Sequence, residues 1–169
     1  MIAFQLGRLD VEITGARAVL AGRIDDTVQL AELAARLPAG DVAIDTAEVT
    51  FVNSVGMREW AQLIRTLRAR GAVTLEAVSD RLMAQMGLLA EFRVDAARGA
   101  IRIASFHAGY LCPACGHEAT PRIDAVAHAA ELRALRAPRQ DCPECGAAME
   151  LADFPERCFG VFSGGDAPA

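Results

Sequence analysis

The chain contains no lysine: its 17 basic residues are all arginine. With alanine so abundant, this reads as the codon bias of a GC-rich genome rather than a functional adaptation. No apolar run reaches the roughly 20 residues that a membrane span needs. The opening Met1-Ile2-Ala3-Phe4-Gln5-Leu6 lacks a basic stretch followed by a long apolar one, so no secretory leader is expected and a cytoplasmic protein is. Direct membrane insertion is not expected either. Net charge is −5, and positive charge is not concentrated: from residue 106 onward five Arg stand against nine Asp and Glu, a balance of −4 that leaves −1 for residues 1–105. A broad phosphate-binding face is thereby disfavoured, and no nucleic-acid partner is expected.

What the chain does have is hydrophobic content, 53% over 169 residues, enough to bury a substantial core. The pattern changes character near Ser105. Before it, the short apolar runs 17–21, 41–45 and 72–78 read as strands and alternate with helical segments. Asp25 and Asp26 offer caps for a helix through Leu30, Leu33, Ala34 and Leu37. From Ser54, Met57, Trp60, Ala61, Ile64 and Leu67 recur at helical spacing, with Arg58, Arg65, Arg68 and Arg70 beside Glu59 on a solvated face and Gly71 as the closing residue. Ser79 caps a third helix whose inner face carries Leu82, Met83 and Met86. Alternating strands and helices imply an α/β layer around a mixed, mainly parallel sheet.

Beyond Ser105 the cysteines dominate. Cys112-Pro113-Ala114-Cys115-Gly116 and Cys142-Pro143-Glu144-Cys145-Gly146 have one form. In a cytosolic chain, paired C-x-x-C motifs point to a metal before a disulfide. Two-residue spacing lets both sulfurs of a turn reach one ion at about 2.3 Å, and the glycine after each second Cys permits positive φ with its amide aimed at sulfur. Four thiolates make the site a closed, structural Zn²⁺ centre, with rubredoxin-type iron and a redox disulfide as the alternatives. His107, His117 and His128 are left outside the set, and Cys158 reads as a buried thiol. Between the pairs, Thr120-Pro121 reads as a helix start, continued by Ile123, Val126, Ala127 and Ala130 and closed by Pro138. The division expected is a domain over 1–105, a zinc-ribbon-like module containing a helix over 106–162, and a disordered tail over 163–169.

Three segments of the first region carry a resemblance. Gly22-Arg23-Ile24-Asp25, then Ala43 to Thr50 with Asp45 inside an apolar strand, then Phe51-Val52-Asn53-Ser54-Val55-Gly56-Met57 resemble a sulphate transporter and anti-sigma factor antagonist (STAS) domain over about residues 5–95. The resemblance implies a STAS-like sheet flanked by helices and a regulatory protein–protein interaction module, not an enzyme. It also implies that Ser54 is the residue a partner kinase phosphorylates, in an interface drawn from Asp25, Asn53, Ser54, Val55, Gly56 and Arg58. Asn53 departs from the Asp usual before that serine, and Val55 from the usual Ser or Thr. Two protein partners fit the family: an anti-sigma factor kinase for a phosphorylation-controlled switch, or a transporter ATPase for a constitutive STAS subunit in lipid transport. A helix N-terminus tolerates phosphate, while a plain helix cap explains a serine there equally well. The best pocket expected is a shallow partner surface near Ser54.

Overall fold

The computed structural model describes residues 1–94 and 101–163. The chain opens with a meander, β1 (Ile2–Leu6), β2 (Leu9–Thr14) and β3 (Arg17–Ile24), of which the sequence pattern predicted only the strand at 17–21, within β3. The signal for β2 is nevertheless plain, because Leu9, Val11 and Ile13 are buried while Asp10, Glu12 and Thr14 are exposed. After α1 (Ala31–Arg36) comes the long strand β4 (Val42–Val52), then α2 (Ser54–Arg68), β5 (Val73–Glu76), α3 (Asp80–Met86) and β6 (Ile101–Ile103). The six strands form one sheet in the order β1-β2-β3-β4-β5-β6. Its first two pairings are antiparallel and the other three parallel, so the fold is α/β with a mixed, mostly parallel sheet.

Helix α2 buries Met57, Trp60, Ala61, Leu63, Ile64 and Leu67 and exposes Arg58 and Arg65. Ser79 caps α3, its hydroxyl accepting from the Leu82 N–H at 3.3 Å. Other helix ends differ from expectation. Asp25 and Asp26 do not cap α1, which begins at Ala31 with no side-chain cap of its own. It is held instead from α2 and the turn that follows α2: the Glu59 carboxylate accepts from the Leu30 N–H at 3.1 Å, and Arg70, just beyond α2, donates to the Ala34 carbonyl at 2.7 Å. These two members of the expected solvated face thus clamp a neighbouring helix. Gly71 does not adopt the left-handed conformation of a closing glycine. It is glycine because a Cβ there would overlap the backbone of Gly40.

The C-terminal region is built from shorter pieces. β7 (Ser105–His107) pairs with β10 (Arg122–Asp124), and β8 (Tyr110–Leu111) lies between β9 (Glu118–Ala119) and β11 (Glu150–Leu151). The helix expected from Thr120-Pro121 is absent. Ile123 enters β10 opposite Phe106, with Arg122 and Asp124 exposed on either side. The Asp124 carboxylate then accepts from the N–H groups of Val126 and Ala127, making a turn that delays the helix to α4 (Ala129–Arg133) and leaves Val126 exposed. α5 (Pro155–Phe159) follows and packs against α3.

The two regions share one buried cluster, which runs from Leu6 to Phe162. β7 continues past the sheet edge through a parallel bridge between Val78 and Phe106. Phe159 and Phe162 close on Phe106 at ring-centroid distances of 5.9 and 5.5 Å. α3 and α5 meet through glycines: a Cβ on Gly87 would overlap the Arg157 carbonyl, and one on Gly160 would overlap the Gly87 carbonyl. Of the expected tail, residues 164–169 lie outside the described residues. No helix among the described residues is long and apolar enough to cross a membrane.

Candidate metal centre and the Ser54 surface

Each cysteine pair is presented by a tight turn that the backbone closes on itself. In the first, the Cys112 N–H donates to the His117 carbonyl at 2.8 Å and the Gly116 N–H to the Cys112 carbonyl at 2.9 Å. The second repeats it, with Cys142 to Ala147 and Gly146 to Cys142, both at 2.8 Å. Gly116 and Gly146 have φ of 76° and 74°, which is why glycine follows each second cysteine. Their amides do not aim at sulfur, as the spacing suggested, but at carbonyl oxygen. The N–H groups that reach sulfur belong to Cys115 and Ala114 for Cys112, to His117 for Cys115 and to Ala147 for Cys145.

The two turns bring their sulfurs together. All four sulfurs lie within 4.8 Å of one another, with Cys112 to Cys145 at 3.5 Å and Cys115 to Cys142 at 3.6 Å. Sulfurs around a tetrahedral Zn²⁺ at about 2.3 Å stand about 3.8 Å apart, whereas a disulfide requires about 2.05 Å. The five cysteines are free thiols, and the donor set of these four fits a metal ion. Electrostatics points the same way. The Cys115 N–H and its neighbours draw the Cys112 thiol down to about 7. His117 pulls Cys115 down by the same means, yet burial and the adjoining sulfurs push it up to about 12. Cys145 is also raised, despite the Ala147 N–H, through its bond to Cys112 and the rest of the cluster. Thiolates this close repel one another, and a bound cation offsets that repulsion.

The support behind the site is specific. Tyr110 is buried and donates its hydroxyl to the Pro138 carbonyl at 2.8 Å, tying β8 to the segment that leads into the second turn. Burial raises that phenol to about 12 and keeps it a donor. His117 contributes its backbone alone to the cluster. His128 bonds Glu131 at 2.9 Å, and Cys158 is buried, which lifts its thiol to about 11.

The residues singled out around Ser54 separate into two groups. Asn53, not Ser54, caps α2: its side-chain oxygen accepts from the Gly56 N–H at 2.8 Å. Asparagine is a favoured cap, and that preference was the sequence signal for this role. Ser54 is the first residue of the helix and is exposed, as are Val55 and Arg58. Gly56 is buried beneath strand β3, where a Cβ would overlap the Ile24 carbonyl. Asp25 is only 2% exposed. Its carboxylate accepts from the Thr27 hydroxyl at 2.6 Å, the Thr27 N–H at 3.0 Å and Arg23 at 3.2 Å, and Arg8 stands at 3.7 Å. The Thr27 bonds, aided by the two arginines, lower its pKa to about 2. What reaches the surface here is therefore not the Asp25 carboxylate but the guanidinium groups of Arg8 and Arg23, the latter stacked 3.8 Å over the half-exposed Phe51 ring.

A cleft of about 470 Å³ opens beside this surface rather than on it, lined by Thr50, Phe51 and Val52 but not by Ser54. No protein-family model, curated protein or solved structure matches the chain.

Proposed function

We propose that this chain is a non-enzymatic, STAS-type interaction module whose partner surface is centred on Ser54, with a structural Zn²⁺ bound by Cys112, Cys115, Cys142 and Cys145. The observation that carries the first part is the division of labour at the start of α2. Because Asn53 makes the capping bond, the Ser54 hydroxyl is released from that duty while remaining exposed at a helix N-terminus. Val55 and Phe51, each 37% exposed, supply apolar contact around it, and Arg58 a charge at the rim. The mixed, mostly parallel sheet with its helices and the motif around Ser54 support the STAS reading. The closed four-sulfur set supports zinc in a holding role, since tetrahedral Cys₄ coordination leaves no open position for a substrate.

On this reading the protein is a partner switch of the anti-sigma factor antagonist kind. Phosphorylation of Ser54 would add about −1.5 to −2 charges in the middle of a contact made by a neutral hydroxyl and apolar side chains. The test begins with the proteins that co-purify with the full chain, where an ATPase kinase is expected. Its affinity for the wild type, Ser54→Ala and Ser54→Asp is then measured. The Ala variant should bind like the wild type and the Asp variant at least tenfold more weakly, with all three equally folded. Equal binding by Asp and Ala variants would remove the switch, and recovery of a transporter ATPase would make the surface a constitutive contact instead.

A further inference from the structure

The six-stranded sheet buries one face only. Leu9, Val11, Leu20, Ile44 and Leu75 lie in the core, on the face that α2 packs against. The residues that alternate with them along the strands are all at least partly exposed. An open face is ordinary for antiparallel strands. It is unusual for strands paired in parallel, as β3 to β6 are, because these are commonly covered on both sides. The pairing register sets out the open face in rows. Gln5, Asp10, Ala21 and Glu48 form one row, and Ala3, Glu12, Val19, Asp45 and Glu76 the next. β3 thus carries a track of small side chains, Val19 and Ala21, with carboxylates beside it on both β2 and β4. Arg17 bonds Asp45 at 2.7 Å and Glu76 at 2.9 Å, one cation between two acids. Asp10 accepts from Gln5 at 3.0 Å, and neither it nor Glu12 nor Glu48 has an ion pair among the described residues. Two further arginines border the face: Arg102 on β6, and Arg23 at the end of β3, the latter bound to Asp25.

We propose that this open face docks a basic amphipathic helix of a partner protein, which supplies the layer that the sheet lacks on that side. The small side chains of β3 let a helix come close to the strand. Arg or Lys on either side of its contact stripe then reaches Asp10 and Glu12 on β2 and Asp45 and Glu48 on β4. The charge pattern decides the class of partner. Nucleic acid and anionic lipid would bring negative charge onto carboxylates, and so would the same face of a second copy. A neutral helix would cover Asp10, Glu12 and Glu48 without pairing them, which costs free energy. This inference does not rest on the partner-switch reading, because Ser54 and α2 belong to the opposite side of the sheet.

The test uses the full, metal-loaded chain and, as the probe, a synthetic helical peptide of about four turns whose alanine stripe is flanked on both sides by arginine. Binding is followed through the backbone amide resonances of the protein. Saturable shifts are expected at Glu12, Val19, Ala21 and Glu48, with half-saturation on the order of 0.1 mM. Raising the salt to about 0.5 M should weaken binding at least fivefold, because exposed charges are screened. Glu12→Lys combined with Glu48→Lys should weaken it at least tenfold. Circular dichroism and metal content should not change, since both side chains are exposed. The same reversal at Glu118 and Glu150, exposed acids of the C-terminal region, should leave binding as it was. A peptide of the same composition with its arginines spread around the helix should bind at least fivefold more weakly. Equal binding by that peptide would mean that charge alone attracts it, and would overturn the inference. Undiminished binding by the folded Glu12→Lys, Glu48→Lys protein, shifts confined to other surfaces, or no saturable response would overturn it as well. So would a DNA duplex that displaces the peptide, or self-association of the free chain through this face.

Discussion

The two regions of this chain are ordered by different means. In the first, β4 alone runs for 11 residues and pairs along both edges, and α2 lays seven buried residues on the sheet. Stability there is spread over many contacts, no one of which is decisive. In the second, every strand is two or three residues long and the helices have five. Such pieces cannot hold themselves in water. They are held at a few points: the sulfur cluster, the Tyr110–Pro138 hydrogen bond, and the Phe106, Phe159 and Phe162 rings. A region with distributed support tolerates loss of any one contact, whereas a region pinned at points does not.

The largest effect should therefore come from the metal. Purified protein is expected to contain one zinc per chain. Stripping it with a strong chelator, or changing Cys142→Ser, should abolish hydrogen-exchange protection at the amides of Cys112, Gly116, Cys142 and Gly146. Structural zinc supplies on the order of 10–16 kcal/mol in small modules, more than the short strands here can replace. Amides of Ile44 and Leu75, deep in the first region, should keep most of their protection. Simultaneous loss in both regions would show that they unfold as one unit, and protein carrying no metal would refute the site.

A smaller loss is expected at the joint. Phe159 is fully buried and meets Phe106 edge to face. Phe159→Ala leaves a cavity there and should cost about 3–5 kcal/mol, read as a shift in the urea midpoint. Zinc content should not change, because Phe159 lies outside the cysteine turns. A cost below about 1 kcal/mol would mean that α5 is loosely attached and that the shared core contributes little.

How far these features could be read in advance depended on how local their causes are. The metal set follows from spacing within each turn and needed no knowledge of the fold. Helices α2 and α3 were equally open to reading, since a period of 3.6 and a capping residue are properties of one segment. Asp25 turns its carboxylate on the Thr27 N–H and hydroxyl two residues on, so a residue suited to a helix cap is the acceptor of a tight turn, and its burial beside Arg8 is the part that local pattern does not show. For Ile123 the cause is less local. Its place opposite Phe106 is a long-range pairing, and one apolar residue between Arg122 and Asp124 suits a strand or a helix equally. The β1–β2 hairpin is different: alternation of Leu9, Val11 and Ile13 with charged residues was present in the sequence and was overlooked. The cleft at His107 and Arg157 could not be foreseen, because residues far apart in the chain become neighbours only once α5 has packed on α3.

The smallest effect expected lies at the start of α2, where it separates structure from function at adjacent residues. Asn53 accepts the Gly56 N–H and so satisfies a donor that the helix itself leaves free. Asn53→Ala removes that bond and should cost about 1 kcal/mol. Asn53→Asp should be close to neutral, because a carboxylate accepts the same bond and suits the positive end of the helix. Ser54→Ala removes an exposed hydroxyl that does not make this cap, and its cost should stay within about 0.5 kcal/mol. None of the three should alter zinc content or exchange protection in the cysteine turns, since contacts in the first region are individually weak and well supported. Thermal unfolding of the four proteins at one pH measures the series. If Ser54→Ala costs as much as Asn53→Ala, the hydroxyl shares in capping, and the argument that Ser54 is released for partner contact fails.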